Sequence, residues 1–219
     1  MKALLIPLKD PATAKSRLAG LLSLEERVRL AWAMFEDVSR AVSATTRPDL
    51  VVLVSSFEPA IEHARSLGWE VLVEQSQQSE SASIDWASHV LAERGFDAVM
   101  RLPADLPLIE ARDVDELISI ELRAPAAVLV PSREGSGTNA IIRMPPNLFA
   151  SRFGPNSLTL HKQEAARVGG VCLIVNNERI ALDIDEPSDL KLLLQFGDST
   201  KTYSIVESLG IEERFGGSW

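Results

Sequence analysis

Ala98-Val99-Met100-Arg101-Leu102-Pro103-Ala104-Asp105-Leu106-Pro107 is the stretch on which the reading of the fold turns. Its apolar opening reads as the end of a buried strand. Pro103 and Pro107 then bracket Asp105, and each proline fixes its own φ and biases the residue before it towards extended backbone. The outcome is a stiff turn holding one carboxylate where a strand ends. In open α/β sheets ligands sit outside the carboxyl ends of the strands. A carboxylate there suits Mg²⁺, which takes one or two protein carboxylates and completes its shell with water and substrate phosphate. The plainer alternative is a Pro-Asp surface turn, since turns favour both residues anyway.

Working outward, apolar runs at 3–8, 50–54, 69–73, 97–102, 126–130, 140–143 and 171–175 read as strands, mostly separated by segments of helical periodicity. This alternation predicts an α/β fold with a sheet of at least six strands. Ser23 and Glu26 form a capping box, and Val28, Ala31, Met34, Phe35, Val38 and Val42 follow at helical spacing. Further helices are expected from Pro59 to about Leu67, from about Ile84 to Arg94 with Asp85 in the first turn, from Val114 to Leu122, and from about Leu158 to Val168 with Ser157 as its cap. Residues 75–83 are polar, without periodicity, and read as a loop. The 219 residues suffice for one core, and no linker or repeat interrupts them. The chain 1–219 is therefore expected to be a single domain, with 199–219 an extension that pattern alone does not place.

The chain carries 22 Lys+Arg against 31 Asp+Glu, a net charge of -9. An acidic surface argues against nucleic-acid and anionic-membrane partners, and a phosphorylated substrate would need local cations and a metal. The one cysteine, Cys172, lies in an apolar run and reads as a buried strand residue rather than a nucleophile, so no internal disulfide forms and a cytoplasmic setting fits. The apolar run Ala3-Leu4-Leu5-Ile6 is too short for a signal-peptide core, and no stretch approaches a membrane span.

Lys9, Lys15 and Arg17 fall in the loop directly after the first strand, which in a doubly wound sheet faces the nucleotide site. There they could bind a triphosphate and stabilise leaving pyrophosphate; otherwise they form a solvated basic loop. Ile180-Ala181-Leu182-Asp183-Ile184-Asp185 reads as extended, with Asp183 and Asp185 on one side and about 6.6 Å apart, a spacing that suits a cation. Asp185 could equally cap a helix starting at Glu186. Ser132-Arg133-Glu134-Gly135-Ser136-Gly137-Thr138-Asn139 has neither Walker nor Rossmann spacing, yet could form an anion-binding nest with Thr138 and Asn139 as donors. His161 falls one turn into the Ser157 helix and reads as a packing or surface residue.

In order along the chain, Pro7-Leu8-Lys9, Ala14-Lys15-Ser16-Arg17-Leu18, Pro103-Ala104-Asp105-Leu106-Pro107-Leu108, Gly137-Thr138-Asn139-Ala140, Phe153-Gly154-Pro155-Asn156-Ser157 with His161, and Asp183-Ile184-Asp185 followed by Pro187-Ser188-Asp189-Leu190 resemble the 2-phospho-L-lactate guanylyltransferase family. The resemblance runs to about Leu194 and rests on the ordered set of motifs. It implies a nucleotidyltransferase fold like that of the GT-A glycosyltransferases: a Rossmann-like, mostly parallel sheet with helices on both faces. It also implies Mg²⁺-dependent use of GTP, in the making of the side-chain precursor of coenzyme F-420. By the same resemblance Asp105, Asp183 and Asp185 would bind metal, and Thr138, Gly154 and Ser157 the acceptor phosphate. Lys9, Lys15 and Arg17 would handle GTP phosphates, Lys15 and Arg17 in catalysis. The expected partners are small molecules: GTP and an acceptor that in this family is 2-phospholactate, phosphoenolpyruvate or 3-phosphoglycerate. A homodimer is compatible with it. Where the family shows Gly-Leu-Asn near the nucleoside, this chain has Ser83-Ile84-Asp85, and Asp85 is the candidate for reading the base. Two other readings stand beside this one: a nucleotidyltransferase for a sugar phosphate or molybdopterin, whose usual Gly-rich opening is missing, and a non-catalytic nucleotide-binding domain of the same fold.

Overall fold

The computed structural model describes residues 1–74, 79–196 and 199–215. Its strands are β1 (Lys2–Pro7), β2 (Leu50–Ser55), β3 (Glu70–Val73), β4 (Ala98–Arg101), β5 (Ala126–Pro131), β6 (Thr138–Met144) and β7 (Val171–Ile174). They form one sheet in the order β3-β2-β1-β4-β6-β5-β7. Every neighbouring pair is parallel except β4–β6 and β5–β6, because β6 runs the other way. That reversal positions the site. With Arg101 beside Ile141, the start of β6 lies at the carboxyl end of β4, so Thr138 and Asn139 meet the turns that leave β1 and β4.

The helices are α1 (Leu24–Ser43), α2 (Glu58–Ser66), α3 (Glu80–Glu93), α4 (Ala111–Ser119), α5 (Ser157–Arg167), α6 (Glu178–Ala181), α7 (Pro187–Phe196), α8 (Lys201–Ser208) and α9 (Ile211–Arg214). Side chains alternate across the sheet. Leu4, Ile6 and Leu53 face α1, α2 and α4 through Phe35, Val38, Ile61 and Val114. Ala3, Leu5, Val52 and Val99 face α3 through Ile84, Ala87 and Leu91. Both faces are therefore covered, which is why the central strands read as unbroken apolar runs. The Ser23–Glu26 capping box forms as its spacing requires.

The far side of α1 is covered too. Leu30 and Met34 pack with Leu190 and Leu193 of α7, Val206 of α8 and Ile211 of α9. The buried Asp37 carboxylate accepts from Lys201 N at 2.9 Å, Thr202 N at 2.8 Å and Thr202 Oγ1 at 2.6 Å. Hydrogen bonds to a charged group contribute about 1.5–3 kcal/mol each. The segment 199–215, unplaced by sequence pattern, is thus folded onto α1, and residues 216–219 lie outside the described ones.

Two local expectations are corrected. The polar stretch 75–83 is not all loop. Ser79 caps α3, its side chain accepting from Ala82 N, and the helix begins four residues before Ile84; residues 75–78 lie outside the described ones. Ile180 and Ala181 belong to α6, so 180–185 is not a strand. The alternation nevertheless survives, with Leu182 and Ile184 buried in the cluster behind α1.

Candidate active site

Three carboxylates converge outside the carboxyl ends of β1 and β4. Asp105, Asp183 and Asp185 each present an oxygen within 4.8 Å of the others. Asp105 is held by its proline-bracketed turn, and its carbonyl accepts from Ile184 N at 3.3 Å, tying the two acidic loops together. Asp183 is aimed by Asn139, whose Nδ2 donates to Asp183 Oδ1 at 3.0 Å and to the carbonyls of Ile180 and Ala181. Asn139, expected as an anion donor, therefore orients a carboxylate instead. Asp189 accepts from the backbone of Asp185 and Glu186 ahead of α7, which leaves the Asp185 side chain free for the cluster.

Lys15 stands among these acids. Its Nζ lies 2.6 Å from Asp105 Oδ2 and 2.7 Å from Asp185 Oδ1, and its backbone has φ 56°. Burial alone would lower the Lys15 pKa, but the charges of Asp105 and Asp185 raise it above the ordinary value. Burial pushes the Asp105 carboxyl up, yet the Lys15 charge and hydrogen bond, with help from Arg101, hold it below the usual range. Asp183 forms no ion pair with a described residue. Burial and the neighbouring Asp105 charge push it up to about 6, against the pull of Asn139. Asp105 Oδ1 is buried without a hydrogen-bond partner among the described residues. Three clustered carboxylates, one with an orphaned oxygen and one with an elevated pKa, are a hard oxygen donor set short of positive charge, and they fit a divalent cation such as Mg²⁺.

The cluster joins two cavities. The smaller, about 300 Å³, runs from Pro7, Leu8 and Lys9 past Lys15 to Val54, Glu74 and Ser83. The larger, about 570 Å³, is lined by Arg17, Gly137, Thr138, Gly154, Asn156 and Ser157. Asp105 and Asp185 line both, as do Glu80 and Arg101. Arg17 is exposed at the second cavity, 3.4 Å from Glu186, whereas Lys9 lies at the first.

In the larger cavity the donors differ from those expected. Asn156, with φ 58°, takes the cap position of α5, and Ser157 is the first residue of the helix, buried against the cavity. Its N–H donates to Gly154 O at 3.2 Å and that of Leu158 to Ser136 O at 3.0 Å, so these two leading amides are already used. The 132–137 turn is not a nest either. Gly135 N donates to Ser132 O and Gly137 N to Ser132 Oγ, and a Cβ on Gly137 would meet that Oγ at 2.6 Å. Gly154, with φ +118°, needs the glycine backbone itself.

What remains for an anion is hydroxyl chemistry, and His161 sets it. The His161 ring is fully buried, its Nε2 accepting from Arg152 N at 2.8 Å and its Nδ1 lying 3.0 Å from Thr138 Oγ1. Burial, with Arg143 and Arg101 nearby, lowers its pKa to about 4, so the ring is neutral. An accepting Nε2 puts the one proton on Nδ1, which donates to Thr138 Oγ1. The Thr138 hydroxyl proton is then left for a ligand.

Asp85 does not sit where base reading requires. Because α3 starts at Glu80, Asp85 falls in the second turn, under the sheet. There it accepts from Arg143 Nη1 at 2.8 Å and from Ser151 N and Oγ. Arg143 is buried in β6, and a buried guanidinium takes the nearest carboxylate. Asp85 lines neither cavity. Arg101 was overlooked in the sequence. It is buried between the cavities, its guanidinium 4.3 Å from the Phe153 ring centroid, paired with Glu80 and donating to Asn139 O at 2.9 Å. A charge ending an apolar strand was the available signal.

A mixed sheet with an acidic cluster and a basic turn at its carboxyl edge, opening on two adjoining cavities, is a strand-end ligand site of an α/β fold, and the relatives of this chain make the class that of the nucleotidyltransferases. A structure from Desulfovibrio desulfuricans G20, assigned to the nucleotide-diphospho-sugar transferases, superposes with a TM-score of 0.76, covering 97% of each chain at 16% identity, which speaks for the fold alone. The sequence profile described as "Guanylyl transferase CofC like" matches residues 1–218, and the chain belongs to that family. It is 36% identical to a phosphoenolpyruvate guanylyltransferase from Rubrobacter xylanophilus, over 86% of this chain and 91% of that one. It is 32% identical to a 2-phospho-L-lactate guanylyltransferase from Methanothermobacter thermautotrophicus, over 94% and 89%. Among the described residues no helix is long and apolar enough to cross a membrane.

Proposed function

We propose that this chain transfers GMP from GTP to the phosphate of a small phosphorylated three-carbon acid and releases pyrophosphate. The observation that carries the reading is the Asp105–Asp183–Asp185 cluster at the junction of the two cavities. A junction of this kind brings the α-phosphate of a nucleotide in the smaller cavity against an acceptor in the larger one. An acceptor phosphate oxygen attacks the α-phosphorus, and the bond to the β-phosphate oxygen breaks. That phosphate is already anionic near neutral pH, so no general base is required. This agrees with His161, whose two ring nitrogens are both engaged.

The protein's part is to bring two anions together and to offset their charge. Lys9 and Lys15 serve the GTP phosphates from the smaller cavity, and Arg17 meets the departing pyrophosphate from the other side. Thr138 and Ser157 donate to the acceptor phosphate, and Gly154 allows it close approach. Asp105, Asp183 and Asp185 would hold Mg²⁺, which when bound supplies charge neutralisation at the phosphates. With the acids so engaged, Lys15 would be released from Asp105 and Asp185 towards phosphate. A cytoplasmic setting and a place in making the coenzyme F-420 side chain go with this reading.

The test is pyrophosphate release from Mg²⁺ and GTP with 2-phospho-L-lactate, phosphoenolpyruvate and 3-phosphoglycerate in turn. Release that depends on at least one of them is expected. Release with none, by protein that binds GTP, would reduce the chain to a nucleotide-binding domain.

A further inference from the structure

With Asp85 spent beneath the sheet, another group must read the base, and the smaller cavity contains one. Glu74 follows β3 directly, its N–H donating to Ser55 O at 3.2 Å. It is only 8% exposed, lines the cavity, and its carboxylate has no hydrogen bond or ion pair with any described residue. The other buried acidic residues among the described ones, Asp37 and Asp113, each collect several donors. A buried charge without a partner is costly unless a ligand supplies the donors.

We infer that Glu74 is the guanine-specifying residue of the nucleotide cavity; this rests on the GTP-dependent reading above. Pro7, Leu8 and Val54 give the cavity apolar walls for a flat ring. Ser83 lies in the same lining, and its hydroxyl donates to Ser79 O at 2.9 Å, so what it turns to a ligand is lone pairs. Both polar groups are acceptors. Guanine offers two adjacent donors, N1–H and N2–H, at the spacing of one carboxylate. Adenine, cytosine and uracil have no such pair of neighbouring donors. Glu74 therefore selects guanine by pairing and rejects the others by leaving a buried carboxylate unpaired.

Xanthine separates this role from general packing, because it keeps N1–H but carries an oxygen at C2 in place of the amino group. Glu74 repels that oxygen. In E74Q the amide NH₂ donates to it while the amide oxygen accepts from N1–H. Binding of GTP, XTP, ATP and inorganic triphosphate, each with Mg²⁺, would be measured by thermal shift and titration on wild type and E74Q. Wild type should prefer GTP. E74Q should lose GTP affinity by roughly 10–100-fold, the ratio carried by a hydrogen bond to a charged group, and gain XTP by a similar factor. Retained triphosphate binding would show that E74Q is folded. An E74Q protein that keeps its GTP affinity, or binds triphosphate without gaining XTP, would overturn the role of Glu74. Wild type that binds GTP and ATP alike would instead overturn the guanine reading itself, and this inference with it.

Discussion

Acidification should loosen the acceptor cavity through His161. Its pKa is about 4 in the folded protein against the ordinary 6.5. Between those values the unfolded chain binds a proton that the native ring refuses. The stabilisation is therefore fully present above about pH 6.5 and lost as pH falls towards 4. Linkage with these two values gives a loss of about 2 kcal/mol at pH 5, approaching about 3 kcal/mol once both states are protonated. The groups that face the ring make the direction firm: Arg143 and Arg101 oppose a positive charge, and Asp85 and Glu164 favour it less strongly than burial disfavours it. Other carboxylates titrate in the same range, so the measurement is a difference. Denaturant unfolding at pH 7, 6 and 5 would compare wild type with His161→Asn, whose side-chain amide can still donate towards Thr138 but does not titrate. Wild type should lose about 2 kcal/mol more than the variant between pH 7 and 5. Equal losses would refute both the depressed pKa and the tautomer derived from it. The same pair tests positioning. His161→Asn should retain much of the acceptor affinity, whereas His161→Leu, unable to orient the Thr138 hydroxyl, should raise the acceptor KM and leave that for GTP unchanged.

Asp105→Asn should lower Mg²⁺-supported turnover by orders of magnitude while circular dichroism shows an intact fold; near-normal turnover would remove Asp105 from the metal site. Arg17→Ala should raise the GTP requirement or slow turnover, and because this side chain is exposed, stability should stay within about 0.5 kcal/mol; altered stability with intact kinetics would make Arg17 structural. Thr138→Ala and Ser157→Ala should each weaken the acceptor by roughly 0.5–3 kcal/mol in apparent binding with GTP barely affected, and an unchanged acceptor KM in both would discard the larger cavity as the acceptor site.

The sequence by itself determined most of the buried segments, but not β7, whose apolar run around Cys172 reads as buried and is exposed because it forms an edge of the sheet. Alternation of Ala3 and Leu5 with Leu4 and Ile6 matches the two covered faces, because a strand presents successive side chains to opposite sides. The Ser23–Glu26 box marks the true start of α1 for an equally local reason: its partners are three residues apart. Asp105 was legible in its rigid turn, and Asp183 with Asp185 in their alternating segment; that the three form one set came from the family resemblance. Tertiary structure decided the pairings. Asp85 was drawn away from the cavities by Arg143, 58 residues further on, Asn139 was turned onto Asp183, and Thr138 Oγ1 came to accept a hydrogen bond from His161 Nδ1. Periodicity says that a side chain is buried, but not which buried polar group will satisfy it. That choice waits on contacts made only when β6 runs back along β4 and carries Thr138, Asn139 and Arg143 into place. Glu74 was silent for the same reason: that its carboxylate has no partner among the described residues is visible only in the packed structure.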